Sequence, residues 1–324
     1  VRAEKGHGAL TEGVFRPNRT GSGRRTKLGF IIGKRPASLA ESGLFEYNKR
    51  QNSKEWMQMK LTMLGTGNAA VTACYNTCFV LEEKGQYFLV DGGGGNTLLR
   101  QLQRVGIDWR KLRTVFVTHK HIDHILGIIW LMRLICQGMA RGEYEGEAVI
   151  YGHGEVIELL RDMAGKLLQA KQTRFIDGRL RLATVENGER RTILGHTVTF
   201  FDIGSQKDKQ FGFSMELGQG RRLTCCGDEP YHPCEERYAR GSTWLLHEAF
   251  CLHSQADVFK PFEKSHSTVA DACRLAQELG VENLVLYHTE DKNIDRRKEL
   301  YTREGREFFD GKLYVPEDLE GIEL

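Results

Sequence analysis

The stretch that decides the reading is Thr118-His119-Lys120-His121-Ile122-Asp123-His124-Ile125-Leu126-Gly127, THKHIDHILG. Three histidines and an aspartate fall within six positions, directly after Arg113–Val117 (RTVFV), whose β-branched and aromatic content predicts a buried strand. His119 and His121 are two apart, so in extended chain both project to one side. Asp123 and His124 follow at the turn into a helix and reach a neighbouring point. One short segment thus offers two ligand pairs to two metal ions lying close together. Imidazole and carboxylate suit Zn(II) first, with Mn(II) or Fe(II) as alternatives. Such a pair polarises a phosphoryl or carbonyl oxygen and generates hydroxide near neutral pH.

The rest of the chain has the ingredients this cluster needs. From Lys60 onward, short β-rich runs alternate with helical patterns. KLTMLG ends on the turn Gly65-Thr66-Gly67, and NTCFVLEE and QYFLVD read as a hairpin. Gly92 to Gly95 then lead into a helix from about Asn96. Residues 123–137 and 154–170 read as helices, and AVIYG, LRLATV, HTVTFFDI, FGFSMEL, RRLTCCG and STWLLHEAF as strands. A helix follows in STVADACRLAQELG, capped by Ser267 or Thr268 and closed by Gly280, before a last core strand NLVLYHT and a charged helix at about 293–308. Five polar features stand immediately after apolar runs: Asp91, the His119 cluster, Asp228, His247-Glu248 and His288. Two packed sheets with helices outside would gather such strand ends on one edge. Asp228 is then the carboxylate placed to bridge two ions.

Composition narrows the class. The chain has 324 residues, 40% hydrophobic and 27% charged, with no uninterrupted apolar run approaching membrane length. Its eight cysteines are scattered and Cys225-Cys226 are adjacent, which does not resemble a secreted disulfide scaffold and favours a reducing cytoplasm. Cys74 and Cys78 have the spacing of half a zinc site, but no matching pair follows. Residues 1–58 hold 12 Lys/Arg against 5 Asp/Glu, a balance of +7, which leaves −4 on residues 59–324 of a chain whose net charge is +3. A mildly acidic body is no electrostatic footprint for nucleic acid. The basic segment lacks an apolar period and reads as a flexible or non-native extension ahead of a domain at 59–324, with Met57 or Met59 as the natural start of the folded part.

HxHxDH with a downstream Gly-Asp and a last strand ending in histidine resembles the metallo-β-lactamase-fold hydrolases, and most of all their ribonuclease Z-like branch. The likeness covers residues 59–324 and is carried by LGTGNAA, LVDGGGG, CGDEP, LLHEAF, HSTVADA and LYHTED. It implies an α/β four-layer αββα sandwich. It also implies a first metal on His119, His121 and Asp228, and a second on Asp123, His124, Asp228 and His288. Asp123 counts among the catalytic residues as well. His247, held by Glu248, would protonate the leaving oxygen, His266 would cap its helix or support the site, and Asp91 would orient a ligand. Dimerisation is common in that branch, so a homodimer is expected.

Two departures matter. The branch carries a third histidine on the first metal just before the strand written here as QFGFSMEL, yet residues Gly204 to Gln206 contain none. Asp202 and His232 are the residues on hand to substitute. The tRNA-processing members also carry a long arm before the Gly-Asp motif, whereas only about ten residues separate Leu217 from Gly227. The expectation is therefore a dinuclear hydrolase of a phosphodiester, in RNA or in a nucleotide, without a membrane partner. The alternatives are a tRNA 3′ endonuclease, a carboxylic ester or lactone hydrolase, and a non-catalytic metal- or nucleic-acid-binding protein.

Overall fold

The computed structural model describes residues 59–324. The reading of residues 1–58 as an extension lies outside the described residues.

Sheet 1 consists of β1 (Lys60–Gly65), β2 (Cys78–Glu83), β3 (Gln86–Val90), β4 (Leu112–Phe116), β5 (Ala148–Gly152) and β6 (Leu180–Thr184), closed at its other edge by β14 (Gly321–Glu323). Sheet 2 consists of β7 (Arg190–Ile193), β8 (His196–Asp202), β9 (Phe211–Gly218), β10 (Arg221–Cys225), β11 (Trp244–Glu248), β12 (Asn283–Tyr287) and β13 (Lys312–Tyr314). Their orders are β14-β1-β2-β3-β4-β5-β6 and β13-β12-β11-β10-β9-β8-β7. In each sheet, hairpins of antiparallel strands give way to parallel pairs, β3 to β6 and β10 to β13. The principal helices are α1 (Thr97–Arg104), α2 (Ile122–Arg141), α3 (Gly154–Leu167), α4 (Val269–Glu278) and α5 (Arg297–Gly305).

Strand parity builds the layers. Phe79, Phe88, Val90 and Phe116 of sheet 1 pack against Phe200, Phe213, Leu246 and Val285 of sheet 2. The alternate residues Val80, Leu89 and Val115 turn outward onto α1, α2 and α3, and Leu245, Leu284 and Leu286 turn outward onto α4 and α5. The result is the expected αββα sandwich. α2 has the length and hydropathy of a membrane-crossing helix, but two-thirds of its most apolar window is buried in the protein. Thr268 caps α4 by a reciprocal bond with Asp271, and Gly280 turns the chain out with φ +67°. The short strands β7, β13 and β14 were not expected; they are edge or three-residue pieces with no periodic signal.

One close approach fixes the site. The Gly92 N–H donates to the His124 carbonyl at 2.8 Å and the Gly127 N–H to the Gly93 carbonyl at 2.9 Å, so the glycine loop lies directly on the first turns of α2. A Cβ on Gly127 would stand 1.8 Å from the Gly92 carbonyl oxygen, and one on Gly92 2.6 Å from the Ile128 nitrogen. Both obstacles are backbone and have nowhere to go. Gly127→Ala is expected to lose about 3 kcal/mol or more in a denaturant titration; a variant as stable as the parent would contradict this packing.

Glu235 is fully buried, and burial pushes its carboxyl up to about 8 from an ordinary 4.5. The unfolded chain surrenders this proton near pH 4.5 and the folded chain near 8, so stability falls as pH rises between them. Glu235→Gln should therefore leave the melting temperature unchanged near pH 4 and raise it progressively towards pH 8, by the equivalent of about 2–4 kcal/mol. A gap between the two proteins that does not vary with pH would refute the burial account.

Candidate metal centre

Three strand ends and one helix N-terminus meet at one edge of the sandwich. β4 delivers Thr118 and His119, and His121 caps α2, whose first turn carries Asp123 and His124. Asp228 follows β10 and His288 follows β12. Asp228 lies at the centre: its Oδ2 stands 3.5 Å from His119 Nε2, 3.4 Å from His124 Nε2 and 3.6 Å from His288 Nε2. Asp123 Oδ2 is 3.4 Å from His124 Nε2, and His121 Nδ1 is 2.8 Å from His119 Nε2. Donor atoms of His119, His124 and Asp228 lie within 4.8 Å of one another, as do those of Asp123, His124 and His288. All are buried except His121, whose side chain is 33% exposed and opens the cluster to solvent. The structure thus brings together all six residues expected to bind metal.

Neighbouring groups set which ring nitrogen faces inward. Asp91 Oδ1 accepts the Thr118 N–H at 2.8 Å and its Oδ2 accepts the Thr118 hydroxyl at 2.8 Å. That hydroxyl proton being committed, His119 Nδ1–H donates to Thr118 Oγ1 at 2.9 Å, which leaves Nε2 with its lone pair in the cluster. His124 Nδ1 donates to Asp91 Oδ2 at 2.8 Å and likewise turns Nε2 inward. Asp91 is therefore an outer support, as expected. Asp91 and His288 hold φ of +58° and +57°, left-handed conformations that non-glycine residues adopt at a cost and that concentrate at functional sites.

The cluster fits divalent cations. Asp123 Oδ2, His124 Nε2 and Asp228 Oδ1 are buried without a hydrogen-bond partner among the described residues, and buried polar atoms are otherwise nearly always paired. Burial drives the His119 imidazolium well below its ordinary range, favouring the neutral ligand form. Burial also opposes ionisation of Asp228, but His119, His124 and His288 outweigh it and hold the carboxyl well below the usual range. His124 is held well above its ordinary value despite burial, chiefly by Asp123 and Asp91, so without a cation its proton balances the carboxylates. A cation at Nε2 would displace that proton.

His247 is not where the sequence reading puts it. On β11, Trp244 and Leu246 face the inter-sheet core and Leu245 faces the helices, so His247 points outward, in register with Leu286 of the outer cluster. Its Nδ1 donates to the Glu248 carbonyl at 2.7 Å, so the Glu248 carboxylate does not hold it. Parity instead sends Glu248 inward, beside Tyr287. Glu248 Oε1 accepts the Ser267 N–H, and Oε2 stands 3.7 Å from His266 Nδ1; both of these facing atoms lack a hydrogen-bond partner among the described residues. His266 stacks on Phe250 and lies 5.2 Å from His288, ring to ring. Thr268, and not His266, caps the helix. The histidine ring facing the Glu248 carboxyl is that of His266 and not that of His247.

The segment that lacks the third histidine turns elsewhere. Ser205 Oγ donates to Glu229 at 2.7 Å, Asp202 caps the Gly204 N–H at 2.9 Å, and His232 lies 3.1 Å from Cys234 Sγ. Neither Asp202 nor His232 belongs to the two groups of gathered ligand atoms, although His232 lies against Gly204. Two residues of this loop escaped the sequence reading: Asp208, which meets His121 and Lys120, and Lys207, whose charge is felt by Glu248, His266 and His288. Beside His266, a cavity of about 330 Å³ is lined by Gly204, Ser205, Gln206, Tyr231, Phe262 and others. Where an arm would insert, β9 and β10 are joined by Gln219-Gly220 alone, both at positive φ as a tight hairpin turn requires.

Residues 59–307 match the family described as "Anti-Pycsar protein Apyc1". The chain belongs to the Anti-Pycsar protein Apyc1 family. It is also 27% identical over 278 residues to a ribonuclease Z of Synechococcus sp. (strain WH7803), covering 71% of this chain and 84% of that protein. Its fold is similar to that of the metallo-β-lactamase fold protein YhfI from Bacillus subtilis, with TM-score 0.68 and 20% identity over 82% of this chain and all of that one. It is also similar to human tRNase Z, short form, with TM-score 0.62 and 21% identity over 82% of this chain and 98% of that one. These likenesses show the metallo-β-lactamase fold, and the similarity to ribonuclease Z is in line with the resemblance carried by the sequence motifs.

If two ions bind here, the one nearest His119 and His121 has the smaller ligand set and the more open side. Graded chelation of metal-loaded protein, followed by elemental analysis, should remove one ion before the other; simultaneous loss of both would contradict unequal sites.

Proposed function

We propose that this Apyc1-family chain is a dinuclear phosphodiesterase that acts on a nucleotide-sized substrate. His119, His121 and Asp228 would hold one ion, and Asp123, His124, Asp228 and His288 the other, with Zn(II) best suited to this donor set. Bound there, two divalent ions would supply Lewis acidity towards the phosphoryl oxygens and a nucleophile derived from water at neutral pH.

The observation that carries the phosphodiester reading is the pair of half-buried His266 and buried Glu248 beside the cluster. An alkoxide leaving a phosphodiester at neutral pH needs a proton. Burial pushes Glu248 well above its ordinary range, so it keeps its proton, and burial with His288 pushes His266 down to about 3, so its ring carries one proton and not two. In the proposed step, His266 passes its Nε2 proton to the departing oxygen while Nδ1 takes the proton of Glu248. The ring ends neutral and the Glu248 carboxylate is met by the Ser267 N–H. Lys207 adds positive charge for the phosphate. The adjoining cavity lies at the small end of the range for ligand pockets and is lined by Tyr231 and Phe262, which suits a nucleotide more than a folded RNA. The two-residue β9–β10 turn argues in the same direction.

A chromogenic phosphodiester supplied with Zn(II) or Mn(II) should be hydrolysed, and a lactone left intact. On a diester with a poor leaving group, His266→Ala should lower kcat by about 10²–10⁴-fold with metal content unchanged. The deficit should shrink with a nitrophenolate leaving group, which needs no proton. His247→Ala should keep the parent's dependence on leaving group. An equal deficit in His266→Ala for both kinds of substrate would refute the acid role.

A further inference from the structure

Each histidine of the HxHxDH segment has an outer acceptor. For His119 it is Thr118 and for His124 it is Asp91, both buried at strand ends. For His121 it is Asp208, whose Oδ2 lies 3.1 Å from His121 Nε2. The ring's other nitrogen, Nδ1, is the one that faces His119. Asp208 therefore meets His121 on the side away from the cluster and is placed to orient the ring, not to bind the ion. Its second oxygen is fixed by Lys120 Nζ at 2.8 Å, and the same ammonium reaches Glu155 Oε2 at 2.9 Å at the start of α3. Lys120, standing between the two histidines in sequence, thus ties the Asp208 loop to the scaffold.

We infer that Asp208 is a positioning residue for His121, so that the loop without the third histidine supports the first ion from outside its ligand set. The physical argument is that an acceptor on Nε2–H holds the tautomer whose Nδ1 lone pair is free, fixes the ring plane and raises the basicity of the ligand. His121 needs this more than its neighbours, because it is the exposed ligand and its ion has the smaller ligand set. The inference rests on the metal-centre reading above.

The test measures metal affinity without turnover. Metal-free protein is titrated with Co(II), and separately with Zn(II) against a competing chelator, for the parent, Asp208→Ala, Asp208→Asn and His121→Ala, with each variant's fold checked by circular dichroism. Asp208→Ala should weaken one binding step by about 10–100-fold and alter the Co(II) d–d absorption. Asp208→Asn keeps an acceptor oxygen and should fall between Ala and the parent. His121→Ala should weaken the same step at least as far. Parent-like affinity and spectra in both Asp208 variants, beside a weakened His121→Ala, would overturn the positioning role alone. Parent-like affinity in His121→Ala would overturn the metal-centre reading itself.

Discussion

The fold converges on one buried carboxylate. Asp228, at the end of β10 in sheet 2, is approached by His119 and His124 from sheet 1 and by His288 from its own sheet, all within 3.6 Å. A carboxylate with 5% of its surface exposed cannot stay ionised without compensating positive charge. Here that charge must come from the imidazoles or from cations they hold. Because its partners sit on both sheets, the same interaction defines where the edges of the sandwich meet. The glycine loop, the outward turn of α2 and the left-handed residues Asp91 and His288 are all ways of bringing backbone close enough for this meeting.

Much of this was legible because the relevant signals are local. Two-residue spacing in His119 and His121, a helix start at Asp123, and polar residues closing apolar strands all depend on short-range geometry. The layers followed from alternation within strands. What was not legible depends on parity or on distance. His247 and Glu248 are adjacent, and only the pairing of β11 with β12 reveals that Glu248 faces the cluster and His247 the helices. Asp208 and His121 are 87 positions apart, and no pattern in the chain announces their contact. The reason for Gly127 appears only when the opposing Gly92 carbonyl is in place. Strands of three residues such as β13 and β14 carry too few side chains to show a period.

The loop from Gly204 to Gln210 joins the two unusual features of this site. It lacks the third histidine that the family resemblance implies, and it also supplies Lys207, Asp208 and part of the wall of the adjoining cavity. One segment would then govern both the environment of the first ion and the space available to a substrate. Beside it, the β9–β10 hairpin is trimmed to the shortest turn compatible with two antiparallel strands. Together these place the chain's specialisation in small loops at one edge, on a scaffold shared with proteins whose names speak of quite different substrates.

The most direct test is anomalous diffraction from crystals of the full chain grown with Zn(II), collected on both sides of the zinc absorption edge. The account predicts two peaks about 3.5–4 Å apart, one touching His119 and His121, the other Asp123, His124 and His288, with Asp228 touching both. A single peak, or peaks that do not share Asp228, would contradict it.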